Sequence, residues 1–94
     1  MYIDDIIWFD QIVEKLEWKH HISPEEVEEV FYNGPRIRGG PKGHVQGENI
    51  YYAYGQTDSG RYVFVVFIYK RTREALIISA RDMDKKERTN YEKT

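Results

Sequence analysis

The run from Tyr62 to Tyr69 constrains the fold more than any other part of the chain, because all eight of its residues are apolar or aromatic. Side chains alternate between the two faces of a strand, so a strand over this run has two apolar faces. Such a strand lies inside a sheet and is covered on both sides, with helices on at least one of them. We therefore predict a central strand over Arg61–Lys70.

Two further apolar runs accompany the central strand, and turn residues separate them from it. The predicted strands cover Ile50–Gly55 and Glu74–Arg81, and the predicted turns lie near Asp58 and near Thr72. The preceding segment, Arg36–Gly47, is rich in glycine and poor in apolar residues, which predicts a loop or a poorly formed edge strand.

The best-marked helix begins after Ser23. Ser23 suits the N-cap and Pro24 suits the first helical position. The Glu26 side chain can accept a hydrogen bond from the Ser23 N–H, as in a capping box. A Gly-Pro pair at 34–35 ends the helix, because glycine tolerates a left-handed C-cap and proline cannot continue a helix.

Weaker patterns complete the fold. They predict a first strand within Tyr2–Trp8, a helix over Phe9–His20 and a last helix over Met83–Lys93. We expect a single α+β domain over residues 1–94, with an antiparallel sheet of about four strands packed against N-terminal helices and a C-terminal helix.

Composition limits the chemistry. The chain has 94 residues and no cysteine, which suits one small domain and excludes a disulfide, a zinc thiolate site and a thiol nucleophile. A core of this size leaves no deep cavity for a large cofactor. The N-terminus lacks the features of a signal peptide, and no stretch is long and apolar enough to span a bilayer. We expect a soluble cytoplasmic protein without a membrane partner.

Charge is distributed unevenly along the chain. Residues 1–34 hold nine acids and two bases, a net charge of −7, whereas residues 35–81 hold eight bases and three acids, a net charge of +5. A basic segment can attract a polyanion although the whole chain has a net charge of −2. Solvated charge on two faces is the simpler interpretation when charge is taken alone.

Two arginines are expected to meet at one end of the sheet. If the last hairpin turns where predicted, Val63 lies opposite Arg81, and Arg61 lies one pleat beyond on the same face. Diagonal neighbours of this kind are about 7–8 Å apart, within reach of long side chains. Paired guanidinium groups suit a phosphate, because their planar donors match its oxygens. The alternative is that each arginine pairs with a nearby carboxylate, such as Asp82 or Asp84.

Several motifs occur in one order along the chain. They are Lys19-His20-His21-Ile22-Ser23, His44 with Gly47-Glu48, Gly60-Arg61, Ile78-Ser79-Ala80-Arg81, and Glu87-Arg88 with Tyr91-Glu92. In this order and at this spacing they resemble the pattern of the BrnT toxin family, and they extend over nearly the whole chain.

The resemblance implies a RelE-like fold and the toxin half of a type II toxin-antitoxin pair. Such a toxin cleaves RNA without a metal or another cofactor. Its partner is a ribbon-helix-helix antitoxin similar to BrnA. The toxin is then bound to operator DNA only through this antitoxin. The resemblance and the hairpin geometry both select Arg61 and Arg81 for phosphate stabilisation, and the candidates for proton transfer are His44, Glu48 and Tyr91.

Basic residues near the predicted sheet are candidates for RNA binding. They are Arg36, Arg38, Lys42, Lys70, Arg71 and Arg73. Two positions depart from the family, since Ile50 and Gln56 stand where arginine is usual, and the loss of two cations weakens the attraction for RNA. His21 stands where glycine is common, which predicts left-handed backbone there.

Tyrosines are frequent among these bases. They include Tyr51, Tyr52, Tyr54, Tyr62 and Tyr69. Their rings can stack on unpaired RNA bases. Tyrosine also favours half-buried strand positions, which is the simpler interpretation.

The leading hypothesis is thus a metal-independent endoribonuclease whose antitoxin covers the face of Arg61 and Arg81 with acidic residues or a helix. The alternative is a catalytically weak or silent relative that binds the antitoxin and acts with it as a co-repressor. RNA cleavage in EDTA separates the two.

Overall fold

The computed structural model describes residues 1–41 and 49–93, and within them the chain forms five strands and three α-helices. In chain order these are β1 (Asp5–Ile7), α1 (Asp10–Lys15), α2 (Pro24–Tyr32), β2 (Arg36–Gly39), β3 (Asn49–Gln56), β4 (Tyr62–Tyr69), β5 (Glu74–Asp82) and α3 (Lys85–Lys93). A π-helical turn, Leu16–His20, continues α1, so the first predicted helix changes its hydrogen bonding halfway. No described helix is long and apolar enough to cross a membrane.

All five strands belong to one sheet of order β1-β5-β4-β3-β2, so the apolar run of β4 is central, as predicted. Neighbouring strands are antiparallel except β1, which pairs in parallel with β5. The predicted α+β fold is confirmed, with one more strand than expected. The additional strand is β2, which pairs with β3 at the edge of the sheet.

The core lies between the N-terminal helices, α1 and α2, and one face of this sheet, the helix-covered face. On that face Val63, Val65 and Phe67 of β4 have no exposed surface, and they belong to one cluster with Val27 and Val30 of α2. The alternate side chains of β4 are only half-buried. The prediction that β4 is covered on both sides is therefore confirmed for the first face and only in part for the second, which we call the open face.

The start of α2 follows its sequence signals. Ser23 Oγ accepts a hydrogen bond from the Glu26 N–H at 3.2 Å, and Glu26 Oε1 accepts one from the Ser23 N–H at 3.0 Å, which completes a capping box. His21, just before it, has the predicted left-handed backbone, with φ of 54°. α2 then packs closely on β3, since a Cβ on Gly55 would lie 2.9 Å from a Val30 methyl group.

A β-bulge interrupts the last hairpin. The pairing of β4 with β5 is regular up to Phe67 opposite Ile77, but Val66 then lies opposite Ser79. Ile78 is therefore an extra residue on β5.

Beyond this bulge every pair is shifted by one residue. Val63 lies opposite Asp82 rather than opposite Arg81, so the predicted pairing is wrong. Because successive side chains of a strand point to opposite faces, the shift moves Arg81 from the helix-covered face to the open face.

Candidate functional site

Arg61 lies on the helix-covered face, and the fold uses all five of its guanidinium N–H donors. Nε and Nη2 donate to the two carboxylate oxygens of Asp82 at 2.6 and 3.1 Å. Nη1 donates to Glu26 at 3.2 Å and to the carbonyl of His21 at 2.8 Å, and Nη2 donates to the carbonyl of His20 at 3.0 Å. This side chain therefore ties the π-helical turn and α2 to the end of the sheet.

The two carboxylates around Arg61 are held in their charged form. The hydrogen bonds from Arg61 lower the pKa of Asp82. The pKa of Glu26 is lowered most by the Ser23 N–H and further by Arg61. The expected alternative, pairing of Arg61 with Asp82, is confirmed. A phosphate would have to displace both carboxylates to reach Arg61, whose contacts clamp these parts of the fold together.

Arg81 lies on the open face in different surroundings. Its Nη1 and Nη2 donate to the two carboxylate oxygens of Glu87 at 2.7 and 2.9 Å. Its Cζ lies 4.4 Å from the ring centroid of Phe64. The side chain is 39% exposed, against 26% for Arg61. Because the two arginines lie on opposite faces, their predicted convergence is wrong.

Glu87 is held by the start of α3. Its Oε1 accepts from the Asp84 N–H at 2.9 Å, and Asp84 Oδ1 accepts from the Glu87 N–H at 2.8 Å. The hydrogen bonds from Arg81 are the main cause of a lowered pKa for Glu87, which keeps it charged. Sequence reasoning missed this partner of Arg81 and suggested Asp82 or Asp84. The Asp-x-x-Glu spacing of a capping box was the available signal.

α3 has no buried residue, and it contacts the open face through rings and cations. The ring of Tyr91 meets that of Tyr62 edge-on, with centroids 5.9 Å apart. Arg36 Cζ lies 5.1 Å from the Tyr91 centroid, and Arg88 Cζ lies 4.1 Å from the Tyr62 centroid. These contacts place Tyr91, a candidate for proton transfer, on the same face as Arg81.

Two predicted RNA-binding arginines share the open face. One row across the sheet contains Arg36, Tyr54, Phe64 and Arg81. Arg38 lies opposite Tyr52 in the next row. Burial raises the pKa of Tyr54 and Glu87 raises it further, while a hydrogen bond with Arg38 opposes the shift. The Tyr54 phenol is therefore neutral at physiological pH.

The remaining predicted residues lie elsewhere. Lys70, Arg71 and Arg73 belong to the turn between β4 and β5, at the opposite end of the sheet from Arg81. Lys42, His44 and Glu48 lie outside the described residues, and the roles of all six stay predictions. From the predicted set, the structure groups on the open face Arg36, Arg38, Arg81 and Tyr91.

A cavity of about 640 Å³ lies away from these residues, between the N-terminal segment and α2. Its lining includes the acidic residues Asp4, Asp5 and Glu28, whose negative charge would repel RNA phosphates. Within residues 1–41 and 49–93, no group of three or more acidic or histidine side chains is arranged to hold a metal ion. The open face is therefore the candidate site.

The fold and this face define a class of protein. It is a small α+β domain in which α1 and α2 cover one side of a mainly antiparallel sheet, while α3, arginines and aromatic rings occupy the other side. The family model described as ribonuclease toxin, BrnT, of type II toxin-antitoxin systems matches residues 9–87. The chain belongs to this family, and the resemblance drawn from its motifs is confirmed.

A solved structure has the same fold. The chain is similar to the crystal structure of the Brucella abortus ribonuclease toxin BrnT, with a TM-score of 0.63 and 18% sequence identity. The match covers 86% of this chain and 97% of that one. No match is found among curated proteins. Membership in the family implies ribonuclease activity and an antitoxin partner.

Proposed function

We propose that the open face binds RNA and cleaves it internally, with Arg81 stabilising the reacting phosphate. The observation that carries this proposal is the position of Arg81, which is stacked on Phe64 and directs both terminal nitrogens at an anion on the open face. A planar guanidinium that binds two oxygens of a carboxylate can bind two oxygens of a phosphate in the same way.

In the proposed reaction the nucleophile is part of the RNA, and no metal or other cofactor takes part. The 2′-oxygen attacks the adjacent phosphorus and loses its proton to a general base. The 5′-oxygen then leaves with a proton from a general acid. Negative charge grows on the non-bridging oxygens in the transition state, and one well-placed donor such as Arg81 contributes about 10²–10³-fold to the rate.

Other residues of the open face take supporting roles in this proposal. Tyr91 is a candidate for proton transfer, because α3 holds it beside Arg36 on the same face as Arg81. His44 and Glu48 are the other candidates. Arg36 contacts a neighbouring phosphate. We assign Arg61 to the stability of the fold, since its donors are already used within it.

We also propose that the antitoxin of this chain is a ribbon-helix-helix protein that covers the open face with acidic residues. Charge supports this arrangement, because residues 35–81 hold eight bases and three acids, and complementary charge directs partners to each other. The toxin would reach operator DNA only through this partner. A structure of the complex with the open face exposed would contradict the proposal.

Incubation of the purified protein with labelled RNA in EDTA tests the catalytic proposal. We expect cleavage to persist in EDTA and to fall about 100-fold in Arg81→Ala. Lys15→Ala removes an exposed cation from α1 and serves as the control with full activity. Intact RNA together with tight antitoxin binding would favour the alternative, a catalytically silent co-repressor.

A further inference from the structure

The open face has more aromatic surface than a phosphate site requires. The ring of Phe64 contacts Tyr52 and Tyr54, with centroids 5.2 and 5.1 Å away, and Arg81 stacks on it. All three rings are half-buried, and they lie on the face that α1 and α2 leave uncovered. We name these three rings the aromatic platform.

Cations border the aromatic platform on both sides. Arg36 and Arg38 belong to β2, next to β3, and Arg81 belongs to β5, next to β4. β2 and β5 are three strand spacings apart, or about 14 Å. A nucleic acid strand lying across the sheet can therefore contact cations at both borders through its phosphates, while its bases face the rings between them.

We infer that the aromatic platform binds unpaired bases, so that the substrate is single-stranded RNA. This inference rests on the proposed function and adds the class of substrate to it. Every base has a flat face that can stack on an aromatic ring, whatever its sequence. In a duplex those faces are covered by the neighbouring base pairs, and shape, phosphates and 2′-hydroxyls are left for recognition. The platform thus selects unpaired segments and discriminates little among their sequences.

A purely structural role for the rings makes a different prediction. Cross-strand aromatic pairs stabilise a sheet, so their removal would then change stability and leave the preference between RNA forms unaltered. The ratio of two binding constants, rather than the stability of a variant, is therefore the decisive measurement.

Binding of an RNA of about 12 nucleotides, close to the site size of single-strand binding proteins, tests the inference. The RNA carries a fluorescent label and 2′-O-methyl groups that prevent cleavage, and it is measured alone and annealed to its complement. We expect tighter binding of the single strand. Tyr52→Ala should weaken single-strand binding about fivefold or more and leave duplex binding unchanged, whereas Tyr52→Phe retains both.

Tyr32→Ala is the matched control, because it removes a ring that is 93% exposed on α2, away from the open face. It should change neither affinity. Tyr52→Leu keeps apolar cover on the sheet and replaces the alanine variant if that variant fails to fold.

Equal affinity of the parent protein for both RNA forms would overturn the inference, as would a folded Tyr52→Ala with unchanged preference. If Arg81→Ala loses RNA binding while the Tyr52 variants keep their preference for the single strand, the proposed function is supported and the role of the aromatic platform is refuted. If Arg81→Ala binds and cleaves RNA normally while Tyr52→Ala loses single-strand binding, the role of the platform is supported and the role of Arg81 is refuted. Absence of binding to either RNA refutes both.

Discussion

Arg61 and Arg81 lie at the same end of neighbouring strands, yet the fold uses them in opposite ways. Arg61 makes five hydrogen bonds on the helix-covered face, to two carboxylates and two backbone carbonyls. Arg81 is held on the open face by one carboxylate of α3, a carbonyl of its own strand and a ring. An arginine whose five donors are all used within the fold stabilises structure, whereas one with a single carboxylate partner can exchange that partner for a phosphate.

One residue in β5 produces this difference. Without the bulge at Ile78, Val63 would lie opposite Arg81 and both arginines would face the helices. With it, Arg81 enters the row of Tyr54 and Phe64. Strand register, rather than residue type, thus separates the structural arginine from the candidate functional one.

The largest expected effect separates the two arginines by stability. Arg61→Ala should lower the free energy of unfolding by about 2–3 kcal/mol, because two carboxylates lose their cation. This is below the value for a fully buried pair, since Arg61 is 26% exposed. Arg81→Ala should cost less, about 1 kcal/mol, because Arg81 is itself 39% exposed and loses one carboxylate partner rather than two. Urea denaturation measures both, and equal losses would contradict the assignment of Arg61 as the clamp.

Acid should destabilise the fold mainly by weakening the contacts of Arg61 with its two carboxylates. The pKa values of Asp82, Glu26 and Glu87 are all lowered in the folded protein. Such groups stabilise the fold above their unfolded pKa, near pH 4, and this stabilisation is lost as the pH falls through the lower folded values.

The free energy of unfolding, measured in urea between roughly pH 3 and pH 7, should therefore decrease toward acid. The decrease should be smaller in Arg61→Ala, which removes a cause of two of the three pKa shifts, than in Arg81→Ala, which removes a cause of one. The reverse order would show that Glu87 carries most of the acid sensitivity.

A smaller effect concerns the partner of Arg81. Glu87→Gln should strengthen RNA binding about fivefold, because a carboxylate that competes with phosphate loses its charge. Glu92→Gln is the matched control, since Glu92 pairs with Arg88 at 3.6 Å within α3. Fluorescence anisotropy with a single-stranded RNA gives both affinities. Weaker binding by Glu87→Gln would mean that Glu87 orients Arg81 and does not compete for it.

The smallest effect concerns the far border of the open face. Arg38→Ala should reduce the slope of log K against log salt concentration by about 0.7, the value for one phosphate contact on a single strand. Binding measured at several salt concentrations gives this slope, and Lys15→Ala should leave it unchanged. An unaltered slope in Arg38→Ala would limit the phosphate contacts to the Arg81 side.

Local signals predicted the elements that depend on neighbours in sequence. Ser23, Pro24 and Glu26 predicted the start of α2, and the capping box formed. The turn near Asp58 predicted the hairpin of β3 and β4, which pairs without interruption from Gln56 opposite Tyr62 onward. These features were accessible because caps and tight turns depend on a few adjacent residues.

Nonlocal features were not accessible in this way. The residues around Ile78 do not mark a bulge, since that part of β5 contains neither glycine nor proline. The pairing of Arg81 with Glu87 depends on where α3 packs, and α3 has too little apolar surface to predict its position. The parallel pairing of β1 with β5 likewise joins distant parts of the chain.

The residues alone determined four properties of this protein. Hydrophobic periodicity gave the central strand, capping signals gave the helix after Ser23, the count of charged residues gave the uneven charge, and motif order gave the family. Each of these properties is carried by residues close together in the chain or by their order. The tertiary structure alone decided which arginine faces the helices and which faces outward. The physical reason is that a shift of one residue in strand pairing reverses the face of every side chain beyond it.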